Sequence, residues 1–278
     1  MLNYNCIFKH NQLGEGIMFG SFENPKNPNR KQGKDYNVSE LSQLAGDDFK
    51  YTNKLASRLY KLLKPIQERS CDRFTYTRLQ KALYKAVRND QSHDLGSLRL
   101  GYGDVSSLKG FRFSLKTSLG KFFVNNPASK FDKGKNSIEV RVPLDSLQKF
   151  ENINSRLAKL VIKLYCIVIQ INDRNDMEIH VSKNLELQRD HVRKDRTVSF
   201  SLGDRQDVVI LCLCTIRCWL MEANEKDTFL SNDATLMATE LVDAILIRDG
   251  ELLTFSQEDS NDLLPPLRSN DGDEIDWD

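Results

Sequence analysis

The sequence predicts an α+β protein in which a short N-terminal hairpin and a basic helical hairpin precede an antiparallel β-sandwich. Two observations lead to this prediction. Between residues 47 and 90 the apolar residues recur at a spacing of three and four, which is typical of amphipathic helices. After residue 108 apolar residues alternate with polar ones, and this period of two is typical of half-buried strands.

The first helix is predicted to begin after Gly46, where Asp47 or Asp48 could accept backbone N–H hydrogen bonds as an N-cap. Pro65 lacks an N–H and disfavours helical geometry at the residue before it, so the helix should end or kink there. A second helix fits residues 74–88. The connection of about eight residues suits antiparallel neighbours.

The outer surface of these two helices is predicted to be basic, and it provides the candidate binding residues: Lys50, Lys54, Arg58, Lys61, Arg78, Lys81, Lys85 and Arg88. Such a surface could bind phosphates, and the interleaved tyrosines could stack on bases. The alternative is that these are the ordinary solvated residues of a helix surface, because Glu68, Asp72 and Asp90 interrupt the basic run.

Alternating residues predict the strands of the β domain. Phe111, Phe113 and Leu115 alternate with polar residues and predict its first strand. Further strands are predicted in six segments with a period of two or a long apolar run: residues 138–142, 157–171, 177–181, 198–202, 208–221 and, as either strand or helix, 236–247. Strands separated by turns at this spacing favour an antiparallel sandwich over βαβ units.

Charge and composition suggest three parts. Residues 1–107 hold the predicted hairpin at 5–22, the basic loop at 24–34 and the helical pair, residues 108–256 form the β-sandwich, and residues 257–278 form an acidic tail expected to be disordered. The net charge of +1 is thus divided unevenly along the chain. Trp277 stands among carboxylates in the tail and is a further candidate binding residue.

No signal peptide or long apolar segment is visible, so we expect a cytoplasmic protein with reduced thiols and no membrane partner. Cys212, Cys214 and Cys218 should point to one face of a strand, where they would spread over about 20 Å. They are therefore predicted to be core residues and not metal ligands. The four histidines have no metal or triad spacing, so no catalytic residue, metal or cofactor is predicted.

The order of these parts resembles a group of uncharacterised Bacteroidetes proteins. The resemblance rests on a glycine-flanked hairpin at Gly16–Phe19, the pair Arg78-Leu79 within a basic helical middle, the turn at Leu108–Phe113 and a β-rich C-terminal half. It covers residues 14–248, and the chain departs from the group in its basic loop and acidic tail. The resemblance implies a fold arrangement and no activity.

These observations predict a non-enzymatic structural or protein-interaction (assembly) protein, with a protein partner or self-association. Opposite charges at the two ends of the chain would favour head-to-tail or partner assembly. The alternative is a nucleic-acid-binding module that uses the basic helical face of residues 47–90. An enzyme with an unrecognised site remains the third interpretation.

Overall fold

The computed structural model describes residues 39–67, 71–172, 174–189, 194–222 and 227–255. The predicted hairpin at residues 5–22, the basic loop at 24–34 and the acidic tail at 257–278 lie outside the described residues.

Two long helices form an antiparallel pair, as the sequence predicts: α1 (Glu40–Gln67) and α2 (Thr75–Arg88). The rings of Phe49 and Tyr84 meet edge to face at 5.9 Å between centroids, and those of Tyr60 and Tyr76 at 5.4 Å. The later of the two contact residues on α1, Tyr60, meets the earlier one on α2, Tyr76, so the two helices run in opposite directions.

The predicted start of the first helix at Asp47 or Asp48 is wrong, because α1 begins at Glu40. The Asp48 side chain does not cap the helix. It is fully buried and accepts hydrogen bonds from the amides of Gly96 (2.9 Å) and Leu98 (3.0 Å), which fold back from the loop after α2. The first two turns of α1 are largely exposed, so they lack the apolar period that would have revealed them.

In the described part of the chain, ten strands form two antiparallel sheets, and a one-turn helix α3 (Phe150–Ile153) precedes the third strand. The strands are β1 (Ala128–Asp132), β2 (Ser137–Val142), β3 (Leu157–Gln170), β4 (Met177–Val181), β5 (Leu185–Gln188), β6 (Arg196–Ser201), β7 (Val208–Met221), β8 (Thr228–Leu230), β9 (Met237–Arg248) and β10 (Glu251–Leu253).

The larger sheet is built on the three longest strands. Its seven strands follow the order β10-β9-β7-β3-β4, with β5 paired to β3 and β8 paired to β7. The smaller sheet has the order β1-β2-β6. The strands predicted at 138–142, 157–171, 177–181, 198–202 and 208–221 are therefore confirmed. Of the segment 236–247, Leu236 ends a single 3-10 turn and the rest belongs to strand β9 and not to an α-helix.

The larger sheet is covered on both faces, which gives an α+β fold of three layers. Ile138 of β2 packs with Ile162 of β3 and Ile210 of β7 in a cluster between the two sheets. On the opposite face, Leu59 of α1 and Leu83 of α2 pack in a second cluster that also contains residues of β3, β7 and β9. Successive strand residues point to opposite faces, so a single long strand contributes to both clusters.

The helical pair and the larger sheet share this second cluster. The described residues from Glu40 onward pack as one unit. Residues on both sides of position 107 contribute to this cluster, and the division of the chain into residues 1–107, 108–256 and 257–278 stays a prediction.

Residues 108–115 do not form the predicted first strand. Arg112 makes a single bridge with Glu240 of β9, and the Phe113 amide donates to the Thr239 carbonyl at 3.0 Å. The chain then leaves the sheet, because the Phe113 carbonyl accepts from the Thr75 hydroxyl at 2.6 Å at the start of α2. Leu115, predicted to be buried, is 57% exposed.

Candidate functional site

The basic residues of the two helices do not form one continuous surface. Helix α2 contacts α1 through Phe49 and Tyr60, so the flank of α1 that carries Lys50, Lys54 and Arg58 faces away from α2. These three residues are spaced four apart and lie along one line of the helix surface. All three are exposed.

This line of α1 forms one wall of a groove of about 380 Å³. The opposite side comes from the loop after α2 and from the turn between β3 and β4. The lining residues belong to these three elements: Asp47, Lys50, Tyr51, Lys54, Leu55, Arg58, Gly96, Arg99, Arg174 and Asn175. Five of them are lysines or arginines, and the one carboxylate among them is Asp47. Asp173, next to Arg174 in sequence, lies outside the described residues.

Two buried aspartates hold the loop that carries Arg99. Asp48 accepts the two amide hydrogen bonds described above. Gly96 has a positive φ of 97° and packs so closely on α1 that a Cβ there would come within 2.7 Å of Leu44. Asp90, at the end of α2, accepts from the Arg99 amide at 2.8 Å and contacts His93 Nδ1 at 2.8 Å. The adjacent residues Ser92, His93 and Asp94 thus belong to a polar turn that positions the groove wall.

Tyr51, on α1, connects the three elements that line the groove. Its hydroxyl donates to Asn175 Oδ1 at 3.1 Å and accepts from the Leu100 amide at 3.3 Å. The Arg99 guanidinium lies 4.9 Å from the centre of the Tyr51 ring, a cation–π distance. Burial raises the pKa of Tyr51 above its ordinary value, so the phenol adds no negative charge to the groove near neutral pH.

Arg58 reaches across the groove to the β3–β4 turn. Its guanidinium donates to the Arg174 carbonyl and lies 4.0 Å from a carboxylate oxygen of Asp176. The Arg58 side chain is still 47% exposed, and an exposed pair of this kind contributes only about 0–1 kcal/mol. Arg58 therefore keeps guanidinium surface available to an incoming anion.

Arg78, a predicted binding residue, has a different environment. Its guanidinium donates to Asp72 Oδ2 at 2.7 Å and to the Arg112 carbonyl at 2.6 Å. Burial alone would raise the pKa of Asp72, but the amides of Phe74 and Leu115 together with Arg78 outweigh it and lower that pKa. Arg78 thus connects the start of α2 to residues 112–115 by hydrogen bonds.

The remaining candidates lie outside the groove. Lys61, Lys81, Lys85 and Arg88 are exposed on the helical pair and do not line it, and the Arg88 guanidinium lies 5.9 Å from the ring centre of Tyr84. Trp277 lies outside the described residues.

Sequence reasoning missed Arg99 and Arg174, which belong to loops. They follow no helical or strand period, and their distance from α1 depends on how the helices pack on the sheet. The sequence did offer one indication of Arg174's exposure, because it lies in a polar segment between two predicted strands.

The three cysteines of β7 are core residues, as predicted. Cys212, Cys214 and Cys218 are buried in the cluster between the sheets. Burial raises the pKa of Cys214 and raises that of Cys218 to about 12, while a hydrogen bond with Cys166 and burial raise that of Cys212. Among the described residues, no group of three or more His, Cys, Asp or Glu side chains is placed to hold a metal ion.

Comparisons with protein-family models, with curated proteins and with solved structures give no match. The resemblance to the Bacteroidetes group stays a prediction. No helix in the described part of the chain has the length and apolar character needed to cross a membrane.

Proposed function

We infer that the protein is a non-enzymatic protein-interaction (assembly) protein whose basic groove binds an acidic segment of a partner protein. The observation that supports this proposal is the convergence of five cationic side chains from three separate elements on one solvent-open groove. Cations brought together in this way attract an anionic chain and orient it along the groove.

The length of the groove favours a short peptide segment. Lys50 and Arg58 are separated by about 12 Å along the axis of α1, at about 1.5 Å per residue. An extended peptide advances about 3.3 Å per residue, so about four of its residues span this distance. Successive carboxylates of such an extended segment point to opposite sides, so they would reach cations on the two facing walls of the groove.

A nucleic-acid-binding module on residues 47–90 is the second candidate, and the exposed cations of α2 favour it. Lys81, Lys85 and Arg88 would have to contact phosphates together with Lys50, Lys54 and Arg58. The two sets lie on different flanks of the helical pair, and a duplex or single strand would have to curve around the helices to reach both. This geometry favours the acidic peptide over nucleic acid.

Anisotropy of a labelled polyglutamate octapeptide and of a labelled oligothymidylate, at low salt, tests the proposal. The double variant Lys54→Glu/Arg58→Glu reverses two groove charges. It should weaken peptide binding about tenfold or more, because each reversal turns an attraction into a repulsion. The matched variant Lys81→Glu/Lys85→Glu carries the same charge change outside the groove and should bind the peptide as the parent does.

Equal losses of peptide affinity in the two double variants would contradict the groove as the binding site. Tighter binding of the oligothymidylate than of the peptide, weakened by both double variants, would instead support the nucleic-acid module.

A further inference from the structure

We propose that the acidic C-terminal segment Asp271–Asp278 of the same chain docks in the basic groove and competes there with the partner. This inference rests on the proposed function, because both ligands would use the same cations. It adds a regulation that the proposed function does not require: a partner must displace the tail before it can bind.

Charge complementarity is the first argument. The segment 271–278 holds five carboxylates within eight residues: Asp271, Asp273, Glu274, Asp276 and Asp278. The groove holds five lysines and arginines. The individual exposed pairs are weak and sensitive to salt, so the contact should depend on several pairs acting together.

The second argument is that the segment also carries two apolar side chains between its carboxylates. Ile275 and Trp277 alternate with carboxylates, so an extended segment would carry Glu274, Asp276 and Asp278 along one edge. The other edge would carry both apolar side chains, preceded by Asp271 and Asp273. The groove offers the ring of Tyr51 and the side chain of Leu55 between its cations. An exposed tryptophan gains contact area by lying there.

Reach is the third argument. The described chain ends at Phe255, which packs against the cluster between the helices and the larger sheet, on the side of that sheet where the groove lies. Residues 256–270 separate Phe255 from the acidic segment, and fifteen residues span up to about 50 Å when extended. A folded unit of this size has a radius of gyration of about 17 Å. The tail can therefore reach the groove of its own chain.

A second groove of about 400 Å³ is a poorer match for this segment. It lies along the outer edge of β9 and β10 and is lined mostly by apolar residues, with Lys130 and Asp243 as its charged members. Such a lining would not attract five carboxylates.

Attachment to the same chain gives the tail an effective concentration of the order of millimolar at the basic groove, which a weak multivalent contact needs.

Trp277 can report its own docking. The chain has two tryptophans, so the variant Trp219→Phe leaves Trp277 as the sole tryptophan. In this background, acrylamide should quench Trp277 fluorescence poorly at about 0.05 M salt and efficiently at about 1 M salt, because salt screens the ion pairs. Adding Lys54→Glu/Arg58→Glu should make quenching efficient at both salt concentrations. Adding Lys81→Glu/Lys85→Glu should leave the salt dependence as it was.

Quenching that is identical in the parent background and in the groove variant at every ionic strength would overturn the proposal. Protection of Trp277 that grows with protein concentration would assign the occupant to the tail of a second copy, and this would also overturn docking within one chain.

Deletion of residues 271–278 separates this inference from the proposed function. If the tail occupies the groove, the deletion should raise the affinity for the polyglutamate octapeptide several-fold at low salt, with the gain vanishing as salt rises. Unchanged affinity for the peptide would overturn tail docking and leave the proposed function standing. Failure of the peptide to bind either form would overturn the proposed function, while protection of Trp277 would still support the docked tail.

Discussion

At the scale of single residues, Glu240 is a carboxylate held inside the protein. It is 8% exposed on β9, and its side chain accepts from the Leu119 amide at 3.1 Å. Burial raises its pKa above the ordinary value, and the Leu119 amide and Arg112 oppose this only in part. The charged form of Glu240 is therefore disfavoured in the folded protein.

This raised pKa fixes the direction of a pH effect. The folded protein retains a proton that the unfolded chain releases, so the stability due to Glu240 is present below the unfolded pKa and lost as pH rises through the folded pKa. The variant Glu240→Gln keeps an oxygen acceptor for the Leu119 amide and removes the titration. We expect its free energy of unfolding to fall less steeply than that of the parent between acidic and neutral pH.

Urea unfolding at several pH values measures this difference. Glu186→Gln is the matched control, because Glu186 is 53% exposed on β5 and carries the same chemical change. If Glu240→Gln and Glu186→Gln show the same pH dependence of stability, the description of Glu240 is wrong.

At the scale of elements, the first strand predicted for the β domain is an irregular segment in the structure. The contact between the start of α2 and residues 112–115 explains the difference. The alternation of Phe111, Phe113 and Leu115 correctly placed Phe113, which is fully buried. It failed at Leu115, which is exposed, because alternation predicts burial only while the segment stays in the sheet and does not identify the partner of each backbone group. The Phe113 carbonyl accepts a hydrogen bond from the Thr75 hydroxyl, so backbone pairing with β9 ends at this residue.

Arg78 should matter for stability and not for binding. We expect Arg78→Ala to lower the free energy of unfolding by about 1–3 kcal/mol, because it leaves Asp72 and the Arg112 carbonyl without their guanidinium donor. Arg88→Ala removes the same charge from an exposed position and should change stability by no more than about 0.5 kcal/mol. Equal denaturant midpoints for the two variants would contradict the structural role of Arg78.

At the scale of the whole molecule, the long strands were predictable and the groove was not. The apolar runs of β3 and β7 are buried on both faces, so their length and composition alone identified central strands. The three cations that α1 contributes to the groove, Lys50, Lys54 and Arg58, were identified from their helical spacing. Arg99 and Arg174 complete the groove only because the helices pack on the larger sheet, and no local pattern in the sequence encodes that packing.

The central claim is that anionic segments bind between α1 and the β3–β4 turn, and a zero-length cross-link tests it most directly. Carbodiimide joins a lysine amine to a carboxylate with which it is in contact, and mass spectrometry identifies the lysine. With the polyglutamate octapeptide at low salt, cross-links are expected at Lys50 and Lys54. Cross-links spread evenly over the exposed lysines, or concentrated at Lys81 and Lys85, would contradict the claim.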